Sequence, residues 1–237
     1  MLTAEAKEVV LASPLLKGLD GAAQDEVLGL GASRKLRRGQ VLFRQRDPAQ
    51  ALYVVAAGKV KLVQEDSFGH QVVVRFVGPG QVMAAVALTP GHVYPVTAQA
   101  VEETTVVAWA AEVLRELGRR YPALTLAATA EIAAHMRDMQ ERFLELASER
   151  VEQRLARCLL RLARQVGKRV PGGVLLDVPL SRQDLAAMTG ATLYTVSRIL
   201  SHWESQGILR AGRQKVLITS PHGLVAVAED LPEGGTP

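Results

Sequence analysis

The chain has 237 residues, 48% of them hydrophobic and 22% charged, with 28 Lys+Arg against 24 Asp+Glu for a formal net charge of +4. This is globular composition, which excludes disordered and fibrous classes, and the length accommodates two modest domains with separate cores. The one cysteine, Cys158, excludes an internal disulfide, an all-cysteine zinc site and a four-cysteine iron–sulfur cluster within one chain.

The opening Met1-Leu2-Thr3-Ala4-Glu5 lacks the basic start of a secretory signal, and no apolar run reaches the roughly 18 residues of a membrane span. A cytoplasmic protein without a membrane partner is expected. Val9, Leu11, Leu15 and Leu16, followed by Val27, Leu28 and Leu30, predict one or two small helices. From about residue 34 to residue 110 the pattern becomes that of short strands. Val41 with Phe43, Leu52 with Val54, Val60 with Leu62, Val72 with Val74 and Phe76, and Val106 near Trp109 alternate with period two. Gly39, Gly58, Gly69, Gly78, Gly80 and Gly91 punctuate them, so an antiparallel sandwich or barrel is expected.

Helical periodicity begins at Ala111, and Pro122 separates a short helix from a long one. In the long helix Ile132, Met136, Met139, Phe143 and Leu146 follow a 4, 3, 4, 3 spacing, an a/d seam over two heptads. Such a stripe can pack on the barrel of its own chain or on a partner helix. The charged remainder (Glu131, Arg137, Asp138, Glu141, Arg142, Glu145) leaves the stripe narrow, which favours a partner. The expected divisions are therefore a β-barrel domain with short N-terminal helices at 1–110, a short helix and a dimerisation helix at 111–148, a third domain at 149–228 and a disordered tail at 229–237.

Charge is unevenly distributed over these parts. Residues 1–148 hold 16 Lys+Arg and 16 Asp+Glu, whereas residues 149–228 hold 12 and 5, a net +7. A neutral half joined to a basic half suggests that the second half meets a polyanion. Within it, Ser181 and Asp184 have capping-box spacing, Gly190 ends a short helix and Thr192 starts another. Val196, Ile199, Leu200 and Trp203 make one side of that second helix apolar, and at 100° per residue Tyr194, Arg198 and Ser201 point the opposite way with Ser197 at the flank. This is the pattern of a helix-turn-helix with a recognition helix, carried on a winged fold by a hairpin over Ile208 to Ile218. Tyr194, Ser197 and Arg198 are the candidate base contacts; the planar fork of an arginine can donate to O6 and N7 of guanine together. Arg182, Gln183, Thr192 and Thr195 at helix starts, with Arg213 and Lys215 in the wing, are the candidate phosphate contacts.

With these parts in order, the chain resembles the CRP/FNR family of bacterial transcription regulators over about residues 8–225. The matching segments are Gly39-Gln-Val-Leu-Phe-Arg-Gln45, Leu52-Tyr-Val-Val-Ala-Ala-Gly-Lys-Val-Lys-Leu62, Gly78-Pro-Gly80 and Thr195-Val-Ser-Arg-Ile-Leu200. The resemblance implies an α+β chain: a cyclic-nucleotide-binding-like jelly-roll barrel, a dimerisation helix and a winged helix-turn-helix. It further implies a homodimer on a roughly palindromic site of double-stranded DNA, with RNA polymerase as a further partner. Many members carry Glu where this chain has Tyr194, so the family's usual half-site does not transfer.

The departures concern the signal. Cyclic-AMP-binding members have Gly-Glu-Leu and Arg-Ser-Ala where this chain has Ala84-Ala85-Val86 and Tyr94-Pro95-Val96, and no Lys or Arg occurs from Phe76 to Leu114. No cyclic-AMP response is therefore expected, and the iron–sulfur cysteines of the oxygen-sensing members are missing. Cys158 reads as a core residue, with a redox thiol as the other reading. Tyr94-Pro-Val-Thr-Ala-Gln-Ala100 is similar to the corresponding segment of members that respond to nitric oxide, some of which are similar to haem proteins. A haem would draw on His70, His92 or His135, each of which otherwise reads as a surface or hydrogen-bonded residue. The expected pocket, for a neutral or apolar effector, is lined by Val82, Met83, Val86, Tyr94 and Thr97; a regulator with no ligand, controlled by its own abundance, is the alternative. An enzyme of cupin type would need a metal cluster, yet there is no His-x-His pair and no Asp or Glu from Phe76 to Val101, so neither catalysis nor a metal is expected. A non-specific architectural DNA-binding protein conflicts with the neutral first half.

Overall fold

The computed structural model describes residues 2–69, 71–212 and 215–231. The chain forms two compact units, Met1–Met139 and Gln140–Pro237. The boundaries expected at 110 and 148 coincide with the ends of a strand and a helix, but as compact bodies the chain divides once, inside the long helix.

The first unit opens with α1 (Ala4–Leu11) and α2 (Gly21–Gly29), each started by a side-chain cap, Thr3 onto the amide of Ala6 and Asp20 onto that of Ala23. Eight described strands follow: β1 (Ala32–Leu36), β2 (Val41–Phe43), β3 (Ala51–Ala57), β4 (Val60–Glu65), β5 (Gln71–Val77), β6 (Val82–Met83), β7 (Thr97–Ala100) and β8 (Thr104–Ala110). They pair antiparallel in two four-stranded sheets, ordered β1-β8-β3-β6 and β2-β7-β4-β5. A single turn of 3₁₀ helix, Ala85–Leu88, follows β6.

Alternation in the sequence locates β2, β3, β4, β5 and β8, but β3 is buried on both sides. Ala51, Tyr53 and Val55 belong to the apolar cluster that also holds Phe43, Leu62 and Tyr94 of the other sheet and its approach. Leu52, Val54 and Ala56 belong to a second cluster with Val10, Leu15 and Val27 of the helical layer. Trp109 of β8 is fully buried in that layer, and its Nε1–H donates to the Val27 carbonyl at 2.7 Å, a bond worth about 1 kcal/mol net. β1 and β7 carry polar or small residues, Ala-Ser-Arg-Lys-Leu and Thr-Ala-Gln-Ala, and so leave no alternation to read.

β5 departs from the expected phase. Leu62 faces Arg75 and Val63 faces Val73, so Val74 is an extra residue and the ladder bulges there. Val73, Phe76 and Val77 are the buried residues of the strand, instead of one alternating set of Val72, Val74 and Phe76.

α3 (Ala111–Arg120) and α4 (Pro122–Ser148) are separated at Tyr121, and the proline at the first position of α4 costs no hydrogen bond there. Leu124 and Ala128 of α4 are buried in the helical cluster. Beyond them the helix carries its apolar stripe in the open.

The second unit begins within α4 and continues with α5 (Val151–Val166), β9 (Gly167–Val170), β10 (Gly173–Leu176), α6 (Arg182–Thr189), α7 (Leu193–Ser205), β11 (Leu209–Gly212), β12 (Lys215–Ile218) and α8 (Pro221–Ala228). Its sheet is ordered β11-β12-β10-β9, so the expected hairpin is one half of a four-stranded sheet. Leu155, Cys158, Leu159, Leu162, Leu176, Trp203 and Leu224 form the buried centre. Glu229 and Asp230, assigned from sequence to a disordered tail, are ion-paired with Arg157 and Arg150 respectively; residues 232–237 lie outside those described.

Candidate nucleic-acid interface and effector cavity

The helix pair is built by local capping. Ser181 Oγ accepts from the Asp184 amide at 3.0 Å and Asp184 Oδ2 accepts from the Ser181 amide at 2.8 Å, closing the capping box that starts α6. Gly190 ends α6 with φ +60°, the left-handed conformation that costs glycine nothing. A Cβ at this position would meet only Leu146 Cδ2, at 2.9 Å, the end of an exposed side chain that can shift, so the left-handed backbone is what requires glycine. Thr192 caps α7, its Oγ1 accepting from the Thr195 amide at 3.1 Å and lying 2.9 Å from Thr195 Oγ1.

α7 then shows two opposite sides. Val196, Ile199, Leu200 and Trp203 are buried, and Trp203 Nε1–H donates to Glu152 of α5 at 3.1 Å. Tyr194 is 78% exposed, Arg198 is exposed and Ser197 is half-buried, so the three candidate base contacts emerge from one helix whose other side is locked in the core. Leu193, not singled out from sequence because a lone exposed leucine has no pattern, stands beside Tyr194 at 47% exposure.

The candidate phosphate contacts divide. Arg182 and Gln183 are exposed on the first turn of α6, and Thr192 is exposed at the start of α7. The Thr192 and Thr195 hydroxyls are already engaged with each other. Lys215 is exposed but paired with Asp177 at 2.9 Å, and Arg213 lies outside the described residues. The Glu204 carboxylate of α7 accepts from the Ala211 amide of β11 at 2.8 Å, bracing the wing against the recognition helix.

α4 supplies a separate surface. Ile132, Met136, Met139, Phe143 and Leu146 are all exposed, from 42% to 71%, in the single chain. Glu145, read from sequence as part of the exposed charged remainder, is buried instead and ion-paired with Arg161 of α5, because the carboxylate needs a partner once α5 covers it. Cys158 is buried, and burial pushes its thiol up to about 11, so it carries neither a thiolate nor an accessible metal ligand near neutral pH.

The first unit holds a cavity of about 340 Å³. Val82, Met83, Val86 and Tyr94 line it as expected, whereas Thr97 does not: its Oγ1 accepts from the Gln45 amide at 3.0 Å. Tyr94 contributes its ring, stacked on Phe43 with centroids 4.0 Å apart, while its hydroxyl is spent on both backbone groups of Ala51. Ala84, in the wall, has φ +63°, a conformation that costs a non-glycine residue about 1–2 kcal/mol. His92 and His135 both line this cavity, and His70 lies outside the described residues.

Arg75 is the residue that sequence reasoning missed. It lies one position before the Lys/Arg-free stretch, and it lines the cavity together with its neighbour Val74. Strict alternation would put one of them outside; the bulge at Val74 is what admits both. The absence of Lys and Arg from Phe76 to Leu114 therefore understates the charge available to a ligand.

Among the described residues no three His, Cys, Asp or Glu side chains are grouped to hold a metal, and no helix is long and apolar enough to cross a membrane. Residues 33–121 match the cyclic nucleotide-binding domain family and residues 153–227 the Crp-like helix-turn-helix domain family. The chain is 32% identical over 200 residues to the cyclic AMP receptor protein of Thermus thermophilus, covering 84% of this chain and 89% of that one. It is 29% identical over 209 residues to the transcriptional activator protein FnrA of Stutzerimonas stutzeri, covering 88% and 84%. The solved structure of FixK2 from Bradyrhizobium japonicum superposes with a TM-score of 0.72 at 26% identity, covering 83% of this chain and 96% of that one. These domains and relatives are regulators and not enzymes; the chain belongs to the CRP/FNR family of transcription regulators.

Proposed function

We propose that the protein acts as a homodimer on a roughly palindromic DNA site, without gating by cyclic AMP. The observation that carries this is α7: Tyr194, Ser197 and Arg198 project outward from a helix whose opposite side is buried and whose first turn is capped. Arg198 reads guanine, Tyr194 and Leu193 offer apolar surface to a thymine methyl, and Arg182 and Gln183 hold phosphates that set the register. The exposed stripe of α4 supports the dimer, since five large apolar side chains in solvent on one helix form the seam of a two-stranded coil. Two recognition helices then enter successive major grooves roughly 10 base pairs apart. RNA polymerase is the proposed downstream partner.

The wall of the cavity supports independence from cyclic AMP. Ala84, Ala85 and Val86 provide no carboxylate for a ribose hydroxyl, and Tyr94, Pro95 and Val96 provide no cation for the cyclic phosphate. Cys158, buried and alone, does not fit an iron–sulfur sensor. A haem would draw on His92 and His135, but the small cavity with an arginine in its lining suits a small molecule better.

Selection of random duplexes by the full-length protein, with and without cyclic AMP, tests the reading. We expect enrichment of two inverted half-sites one helical turn apart in both arms. Enrichment of a single half-site, or enrichment that requires cyclic AMP, overturns it.

A further inference from the structure

We infer that the cavity of the first unit binds a small amphipathic monocarboxylate, with Arg75 as its counter-charge. This rests on reading the barrel as an effector domain, and it replaces the neutral or apolar effector expected from sequence.

Arg75 Nε is buried and has no hydrogen-bond partner among the described residues. A donor of this kind, withdrawn from water on a permanently charged group, is costly to leave unmet. Arg75 lines a cavity of about 340 Å³, so the missing acceptor can be delivered by a ligand. The planar fork of arginine matches the two oxygens of a carboxylate.

The rest of the lining selects among anions. Leu62, Val82, Met83, Val86, Val96 and Ile132 make most of the wall apolar, which requires an apolar body behind the charged head. Among the described residues Arg75 is the single Lys or Arg in the lining, and Glu131 of α4 lines the same space as a negative charge. Arg75 can match one negative charge, and Glu131, half-buried on α4, opposes any anion and a dianion about twice as strongly, so a monocarboxylate is favoured over a phosphate dianion. Among the described residues His92, His135 and Tyr94, whose hydroxyl is spent on Ala51, complete the titratable groups of the wall. The volume lies at the small end for ligand pockets, which favours a compact aromatic or branched aliphatic acid.

The test uses the full-length protein and calorimetric titration with benzoate, phenylacetate and 4-methylpentanoate, the corresponding neutral amides, phenyl phosphate and cyclic AMP. At least one carboxylate is expected to bind roughly tenfold or more tightly than its own amide, as a charge-assisted contact requires. Arg75→Gln, checked for an unchanged circular dichroism spectrum, is expected to bring that ratio close to one, and Arg75→Lys to keep a reduced preference. Glu131→Gln, at a half-buried helix position, is expected to tighten carboxylate binding, and no tightening overturns the placement of the carboxylate in this cavity even if Arg75→Gln does not fold. No carboxylate binding at millimolar concentration, a ratio near one in the wild-type protein, a preference that survives Arg75→Gln, or tighter binding of phenyl phosphate or cyclic AMP overturns the inference. The same wild-type preparation is put through the duplex selection. Enrichment of the palindrome without carboxylate binding removes the ligand alone, whereas failure to enrich it removes the regulator reading itself.

Discussion

Arg198 and Arg182 carry the same charge and are assigned different work, because one stands on the outward side of the recognition helix and the other on the first turn of the helix before it. Arg198→Ala is expected to cost about 1–3 kcal/mol of discrimination at one G·C pair per half-site, with little change at other positions. Competition binding against single-base variants of the selected site measures it, and unchanged base preference refutes the assignment. Arg182→Ala is expected to weaken all duplexes alike and to lower the slope of log affinity against log salt by about 1 for each phosphate it no longer neutralises. A salt titration on specific and random duplexes checks this, and a sequence-dependent effect would move Arg182 to the base-reading group.

Among the elements, the two helices of the DNA-binding motif are short, at 8 and 13 residues, so their ends matter as much as their interiors. Ser181→Ala removes one half of the α6 capping box and is expected to destabilise the second unit by about 0.5–2 kcal/mol. Urea unfolding should show a lower midpoint with an unchanged slope; an unchanged midpoint would mean that the Arg154 bond to the Thr189 carbonyl, at 2.9 Å, holds the helix without the cap. These caps were legible from Ser181, Asp184, Gly190 and Thr192 because capping is a property of adjacent residues. The β5 bulge was not legible, since it arises from pairing with β4 and leaves no mark in the order Val-Val-Val-Arg-Phe-Val.

For the molecule as a whole, the central prediction concerns the α4 seam. Met139 and Phe143 are 59% and 71% exposed in the single chain, so charging them disturbs no core of their own protomer. Met139→Glu combined with Phe143→Glu is expected to give a folded monomer by light scattering and sedimentation, with affinity for the palindrome reduced to that of a half-site. A dimer that persists in this variant rules out the seam. The pattern of the stripe was visible in the 4, 3, 4, 3 spacing, but whether its first three residues were covered by their own barrel was a tertiary question, and the exposures of Ile132, Met136 and Met139 answer it within the first unit. Glu145 shows the converse: heptad counting placed it among solvated charges, and α5 buries it against Arg161.

Sequence by itself determined the order of the parts, the division of charge between them, the capped helix pair with Arg198 turned outward, and the departures at Ala84-Ala85-Val86 and Tyr94-Pro95-Val96. All of these depend on residues close in the chain or on composition, where periodicity and capping rules act. Tertiary structure alone decided that β3 has two buried sides, that Thr97 is turned away to a backbone amide, that the Tyr94 hydroxyl is spent, and that Arg75 lines the cavity. Those outcomes depend on which strand lies opposite and in what register. Arg75 lies in regular register with Val77, opposite Leu62 and Val60, and the extra residue at Val74 brings its neighbour into the same lining.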